Sequence, residues 1–288
     1  MIREYSKGQH IWRALWPALA FMGIQLVASA LAMIGLAVYY SVLVAQGYTG
    51  LGMVDPVTAA AEAVLANILL VLLISSVISL VFYYFMWRAT RKTHTELNTG
   101  EIGVSAVLMV SGMFIGLNLL LISVMDVTHV MEYFPEHAEL MESMRAGGGI
   151  ILQLLVIGVL VPIVEELCFR GVILNRLAAW TPRWVAVAVS SLLFGIIHLN
   201  VLQGLYATIV GVLLGWVYIR TRNLWAPIIG HIAFNSINIG LGHYFEVMEW
   251  GWPSMMAIIP MAILAGLCAV MLHIHTKNID ECNIGEFE

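Results

Sequence analysis

The sequence predicts an all-α, polytopic integral membrane protein with about eight transmembrane helices. Of its 288 residues, 61% are hydrophobic and only 11% are charged, whereas soluble domains are about 25% charged. A helical crossing of the bilayer core needs about 20 apolar residues, and the long apolar runs leave little sequence for a soluble domain. We therefore expect a single membrane domain over residues 1–288.

Eight apolar stretches account for the predicted helices. The first two are longer than a perpendicular crossing requires, so we expect them to tilt or to extend beyond the bilayer. The first also follows basic residues, as in a signal peptide. Its apolar run exceeds the roughly 7–15 residues of a signal-peptide core, and we therefore expect an uncleaved helix. The predicted spans are 14–45, 60–87, 102–125, 149–171, 184–199, 203–219, 224–242 and 253–274.

Motifs are distributed unevenly along the chain. Residues 1–147 form N-terminal helices without a motif, and they end in a long acidic connection at 126–147. Residues 149–240 hold a core with polar groups inside apolar stretches, and residues 253–288 form the last helix and a cytoplasmic tail. The stripe of Ala207, Gly211 and Gly215 has the four-residue spacing that allows close helix packing in lipid.

The distribution of basic residues predicts the orientation. With both termini in the cytoplasm, 12 of the 13 Lys and Arg residues lie on the cytoplasmic side, and only Arg145 lies outside. The positive-inside rule then places both termini in the cytoplasm, in a cell inner or plasma membrane. The net charge is −5, and no basic stripe indicates a nucleic acid partner. Three cysteines without paired spacing predict neither a disulfide framework nor a cysteine zinc motif.

Polar groups inside the apolar stretches gather in the second half of the chain. Ionisable side chains cost roughly 2.5–3.5 kcal/mol each at the bilayer centre, so they usually mark a functional site. A lone histidine or asparagine is more often a packing residue, but two acids, two histidines and an amide that converge favour a site. The residues are Glu165, Glu166, Arg170, His198, His231 and Asn235.

The spacing of these residues predicts their pairing. Glu166 and Arg170 are four apart with the acid first, which is the favoured order for a helical ion pair. Glu165 points about 100° away from Glu166 and faces another partner. The turn at Thr181-Pro182 lies midway between Glu165 and His198. In an antiparallel hairpin these two residues lie at the same height on neighbouring helices.

Two further features belong to the same predicted site. His231 and Asn235 are four apart and share one helical face. Pro227 and Gly230 precede them and are expected to loosen that helix locally. Phe194 lies one turn before His198 and is expected to wall one side of a pocket.

Three motifs in this order resemble a known family. They are EExxxR over residues 165–170, FxxxH over 194–198 and HxxxN over 231–235. Each motif alone is weak, but the ordered set in three apolar helices resembles the CPBP family of CAAX proteases and bacteriocin-processing enzymes, also called ABI. The resemblance covers about residues 149–240.

The resemblance implies an eight-helix intramembrane endopeptidase with a glutamate-activated water. Eukaryotic relatives remove the last three residues of prenylated CaaX proteins on the cytosolic side. Carried over by position, Glu165 is the general base and His198 orients the water. His231 and Asn235 stabilise the oxyanion. The supporting residues are Glu166, Arg170 and Phe194.

Alternatives to this interpretation remain open. Other intramembrane protease types fit poorly, because HExxH, GxGD and GxSG are absent. We expect no metal, although Glu165, His198 and His231 are possible zinc ligands. A non-catalytic bacteriocin-immunity or scaffold protein would keep the same fold. A proton-coupled transporter is disfavoured, because the charges cluster at one point and no inverted repeat is visible. The expected partners are membrane lipid and a membrane-associated protein or peptide substrate, and the oligomeric state stays open.

Overall fold

The computed structural model describes residues 6–46, 56–91, 100–146, 148–248 and 254–284, and these residues form helices and turns without any strand. The predicted all-α class is therefore confirmed. The helices, in chain order, are α1 (Lys7–Ala45), α2 (Pro56–Ala66), α3 (Ile68–Arg91), α4 (Val104–Val127), α5 (Pro135–Ala146), α6 (Ile150–Ala178), α7 (Arg183–Ile196), α8 (Val201–Thr221), α9 (Trp225–Met248) and α10 (Ser254–Ile284).

The fold is that of a polytopic membrane protein, but the count of eight crossings is not confirmed. Within the described ranges, six helices are long and apolar enough to cross a membrane, namely α1, α3, α4, α6, α8 and α10. Helix α7 is apolar but shorter. Helix α9 has 24 residues, yet it carries His231, Asn235 and other polar residues that lower its apolarity.

Several predicted boundaries differ from the structure. The single stretch predicted at 60–87 is divided into α2 and α3 at Asn67, whose side-chain amide donates to the carbonyl of Ala63 at 2.9 Å. A local bond of this kind competes with the helical backbone ladder. The acidic connection 126–147 contains a short 3₁₀ turn and the helix α5. The predicted cytoplasmic tail begins inside α10, and its last residues lie outside the described ranges.

Helix α6 carries two π-helical segments that the sequence analysis did not predict. They are Leu154–Leu160 and Leu167–Leu174, and they flank a short α-helical piece, Val161–Glu166. Wide turns of this kind are rare and occur often at functional sites. The segment between them contains both glutamates of the EExxxR motif.

Helices α7 and α8 cross closely because small residues line their contact. A Cβ added at Gly211 would lie 3.1 Å from the Cβ of Ser191, and one at Gly215 would lie 3.0 Å from Val187. Ala207, in the same stripe, is buried. The predicted packing role of this stripe is therefore confirmed. A tight turn joins the two helices, and in it Leu199 adopts the left-handed conformation with φ 53°.

Two clusters of buried apolar side chains stabilise the bundle. One contains residues of α1, α3, α6, α7, α8 and α9, and the other contains residues of α4, α8, α9 and α10. Helices α8 and α9 contribute to both clusters. His231 and Asn235 of the predicted site therefore lie on α9, which joins the two clusters, while Glu165, Glu166 and Arg170 lie on α6 in the first cluster.

Candidate active site

Buried charged side chains meet where α6, α8 and α9 come together. Glu166 and Arg170 are completely buried, while Glu165 is 6% exposed and His231 is 4% exposed. A buried charge is tolerated when it is paired and hydrogen-bonded. The contacts among these side chains therefore determine what the cluster can do.

Glu166 is the anchor of the cluster. Its Oε1 accepts a hydrogen bond from Nη1 of Arg170 at 2.7 Å and lies 2.9 Å from Nδ1 of His231. The predicted i,i+4 pair of Glu166 and Arg170 is thus present in the structure. The same carboxylate also holds an imidazole from α9, which spacing along α6 alone does not reveal.

Arg170 reaches two further groups. Its Nη2 donates to the backbone carbonyl of Gly211 on α8 at 2.8 Å. Its guanidinium carbon lies 4.9 Å from the centre of the Phe194 ring on α7. Because the planar guanidinium combines hydrogen bonding with stacking on an aromatic face, Arg170 fixes α7 and α8 around the glutamates.

His231 lies between the two glutamates. Because the Glu166 carboxylate that pairs with Arg170 accepts hydrogen bonds, Nδ1 of His231 is assigned as the donor to it. The opposite nitrogen, Nε2, lies 3.6 Å from Oε2 of Glu165. A hydrogen bond made by one ring nitrogen determines which nitrogen remains for other chemistry. The chain of groups from Arg170 through Glu166 to His231 therefore orients one imidazole nitrogen toward Glu165.

His198 lies in the turn after α7 and is oriented in the same way. Its Nδ1 is 2.7 Å from the carbonyl oxygen of Phe194. A carbonyl only accepts, so Nδ1 carries the hydrogen and Nε2 keeps its lone pair in the neutral ring. The Phe194 ring contacts His198 with centroids 4.9 Å apart and His231 at 5.7 Å. Phe194 therefore contacts both histidines, and its role as the wall of a pocket stays a prediction.

The structure pairs Glu165 with His231, whereas the sequence predicts His198 as its neighbour. Among the described residues, the ionisable side chain in contact with Glu165 is His231, and the structure shows no direct contact with His198. The turn at Thr181-Pro182 relates α6 and α7 alone, whereas α9 brings its own imidazole to the carboxylate. A water shared by Glu165 and His198 stays a prediction.

Asn235 ties α9 to the first π-helical segment of α6. Its Nδ2 donates to the carbonyl of Ile157 at 3.0 Å, and the next residue, Ser236, donates to Gly158 at 3.3 Å. This is the interhelical packing role that the sequence left as an alternative. The amide has a second N–H, and its predicted role toward an oxyanion stays a prediction.

The predicted loosening of α9 before His231 is not observed. Helix α9 runs without a break through Pro227 and Gly230. A Cβ at Gly230 would lie 2.5 Å from the Phe114 ring of α4. The glycine therefore permits close packing between α4 and α9.

The zinc alternative needs Glu165, His198 and His231 as metal donors. Within the part of the chain that the structure describes, no group of three His, Cys, Asp or Glu side chains is placed to hold a metal ion. Independence from metal remains an expectation.

A segment of this chain that contains the candidate site matches the model of a known protein family. Residues 147–237, about a third of the chain, match the model of the family described as type II CAAX prenyl endopeptidase Rce1-like. The resemblance drawn from the three motifs is confirmed. The matched segment contains all of α6, α7 and α8, and the part of α9 with His231 and Asn235.

Two Bacillus subtilis proteins are similar to this chain. One, named "Putative membrane peptidase YdiL", is 34% identical over 85 residues, which are 30% of this chain and 35% of that protein. The other, "Uncharacterized protein YpbD", is 26% identical over 135 residues, which are 42% of this chain and 64% of that protein. The chain thus spans between a third and two thirds of these relatives. No solved structure matches it significantly.

Proposed function

We propose that this protein is an intramembrane endopeptidase that hydrolyses a peptide bond of a membrane-associated protein or peptide, with Glu165 as the general base. One observation carries the proposal. Glu165 is a buried carboxyl beside His231, and the opposite nitrogen of that imidazole is held by the Glu166–Arg170 pair. The similarity of residues 147–237 to a peptidase family supports the same conclusion.

The proposed reaction uses a water molecule as the nucleophile. Glu165 removes one proton from the water while the oxygen attacks the scissile carbonyl carbon. Nε2 of His198 accepts a hydrogen bond from the same water and orients it. The resulting tetrahedral intermediate collapses when the C–N bond breaks, and Glu165 returns the proton to the leaving amine.

Charge on the scissile oxygen needs donors that are already in place. His231, when Nε2 is protonated, and the second amide hydrogen of Asn235 are the donors proposed for this role. In a site closed to water, one such donor contributes about 3–4 kcal/mol to stabilising the transition state. The bonds that fix His231 to Glu166 and Asn235 to Ile157 limit the reorganisation needed during the reaction.

Replacing Glu165 by Gln tests the proposal. The wild-type protein and Glu165→Gln are expressed in the same membranes, and the released peptides are compared by mass spectrometry. We expect cleavage to fall at least about 100-fold, since a general base typically contributes a factor of 10²–10⁴. Glu132→Gln, at an exposed position, is the control that keeps activity. Equal cleavage by wild type and Glu165→Gln would favour a non-catalytic membrane protein.

Metal removal separates the water-activation mechanism from the zinc alternative. Purified protein is incubated with EDTA and with 1,10-phenanthroline, and its zinc content is measured by mass spectrometry. We expect full cleavage activity without stoichiometric zinc. Loss of activity that added zinc restores would contradict the metal-free mechanism.

A further inference from the structure

Asn175 stands at the point where the second π-helical segment of α6 ends. It is 2% exposed and begins the last α-helical turn of α6. Its side-chain Nδ2 lies 2.9 Å from the carbonyl oxygen of Arg170 and 3.0 Å from that of Gly171. These carbonyls belong to the π-helical segment, where the regular bonding pattern is altered. The amide of Asn175 therefore caps backbone groups inside a buried helix.

The same amide contacts α8. Nδ2 of Asn175 lies 2.7 Å from the hydroxyl oxygen of Tyr218, which is completely buried. Two turns earlier on α8, the carbonyl of Gly211 accepts from Arg170. Helices α6 and α8 are thus joined by two buried polar bridges, and both bridges involve the residue Arg170, one through its side chain and one through its backbone.

We propose that Asn175 and Tyr218 are positioning residues for the active site. They hold the backbone at Arg170, so that the guanidinium reaches Glu166 and the Glu166 carboxylate orients His231. Asn175 acts through the backbone carbonyls of Arg170 and Gly171, and Tyr218 acts through Asn175. The kinetic consequence of this inference rests on the proposed peptidase function. The link from Tyr218 through Asn175 to the backbone carbonyls of Arg170 and Gly171, which we call the clamp, is a structural claim that hydrogen–deuterium exchange tests separately.

Tyr218→Phe is the sharpest variant, because it removes one hydroxyl and keeps the ring. Thr276→Val is the matched control. It also removes a buried hydroxyl that bridges α8 to a neighbour, since Thr276 of α10 accepts from Arg220 at 3.1 Å. Asn175→Leu removes the whole amide at similar volume. If the Asn175→Leu protein does not accumulate in the membrane, Tyr218→Phe alone tests the proposal.

The first readout is the division of the effect between kcat and KM. We expect Tyr218→Phe to lower kcat about three- to tenfold, which corresponds to one net hydrogen bond, and to leave KM unchanged. Asn175→Leu should lower kcat further. Thr276→Val should keep the wild-type kcat. Equal kcat values for Tyr218→Phe and Thr276→Val would overturn the proposal.

The second readout does not need activity. Hydrogen–deuterium exchange of the segment Leu167–Leu174 is measured for wild type, Tyr218→Phe and Thr276→Val. We expect faster exchange in this segment for Tyr218→Phe alone. Unchanged exchange would overturn the clamp even if the protein is a peptidase. Faster exchange in a protein without peptidase activity would support the clamp and contradict the proposed function.

Discussion

Among the individual residues, His231 contacts both buried acids of the candidate site. It comes from α9 and stands between two carboxyl side chains that are adjacent in the sequence of α6, at 2.9 Å from Glu166 and 3.6 Å from Glu165. Two neighbouring buried carboxyls repel each other when both are ionised. The imidazole and the guanidinium of Arg170 supply the compensating donors, and they give the two acids different surroundings.

Glu166→Gln tests the anchoring role of Glu166, whose carboxylate pairs with Arg170. The substitution leaves the Arg170 guanidinium buried without its carboxylate, and breaking one partner of a buried pair costs about 3–5 kcal/mol. We expect a clear fall in the free energy of unfolding, measured by titration with SDS in mixed micelles. Glu132→Gln, which disrupts an exposed contact with His129, should have a small effect. A Glu166→Gln protein as stable as Glu132→Gln would contradict the anchoring role.

At the level of helices, Arg170 of α6 reaches the backbone of α8 at the point where α7 and α8 cross. The absence of a side chain at Gly211 lets Nη2 of Arg170 reach the Gly211 carbonyl. Phe194 and Ser191 of α7 close the other sides of the same contact. The small-residue stripe therefore serves packing and also admits a charged group from a third helix.

Gly211→Ala tests the closeness of this crossing. The new methyl would lie 3.1 Å from Ser191, 3.2 Å from Phe194 and 3.3 Å from Nη2 of Arg170. Overpacking of this kind costs about 1–3 kcal/mol, whereas Gly to Ala in an open helical position gains up to about 1 kcal/mol. We expect lower thermal stability and lower cleavage activity. Gly35→Ala on α1, with nothing near the added methyl, is the control that should keep both.

At the scale of the whole molecule, the acidic connection folds back onto the bundle. His137 of α5 is buried and packs edge-on against Tyr206 of α8, with ring centroids 5.9 Å apart. Burial lowers the pKa of His137 below its ordinary value of 6.5, and a hydrogen bond with Asn200 acts in the opposite direction. The carboxylates of Glu136, Glu139 and Glu142 on the same helix are exposed.

This contact predicts a dependence of stability on pH. With its pKa lowered in the folded state, His137 binds a proton more readily when unfolded. Its contribution to stability is therefore present above pH 6.5 and is lost as the pH falls below that value. We expect the melting temperature of wild type to drop more between pH 7.5 and pH 5.5 than that of His137→Gln. His129→Gln, at an exposed position, should behave as wild type.

Part of this structure could be predicted from the local periodicity of the sequence. The all-α class follows from apolar runs, the pairing of Glu166 with Arg170 follows from their four-residue spacing, and the packing stripe of α8 follows from small residues on one face. These features depend on residues that are close in the chain, because helical geometry fixes their relative positions.

The remaining features were decided by the tertiary structure. The meeting of His231 with Glu165 depends on the height of α9 against α6, where Asn235 and Ser236 of α9 donate to the carbonyls of Ile157 and Gly158. The π-helical segments of α6 depend on side chains that are distant in the sequence and donate hydrogen bonds to the backbone carbonyls of these segments, such as Asn235. No periodicity within a single helix encodes the register between helices, because that register is the result of packing all of them together.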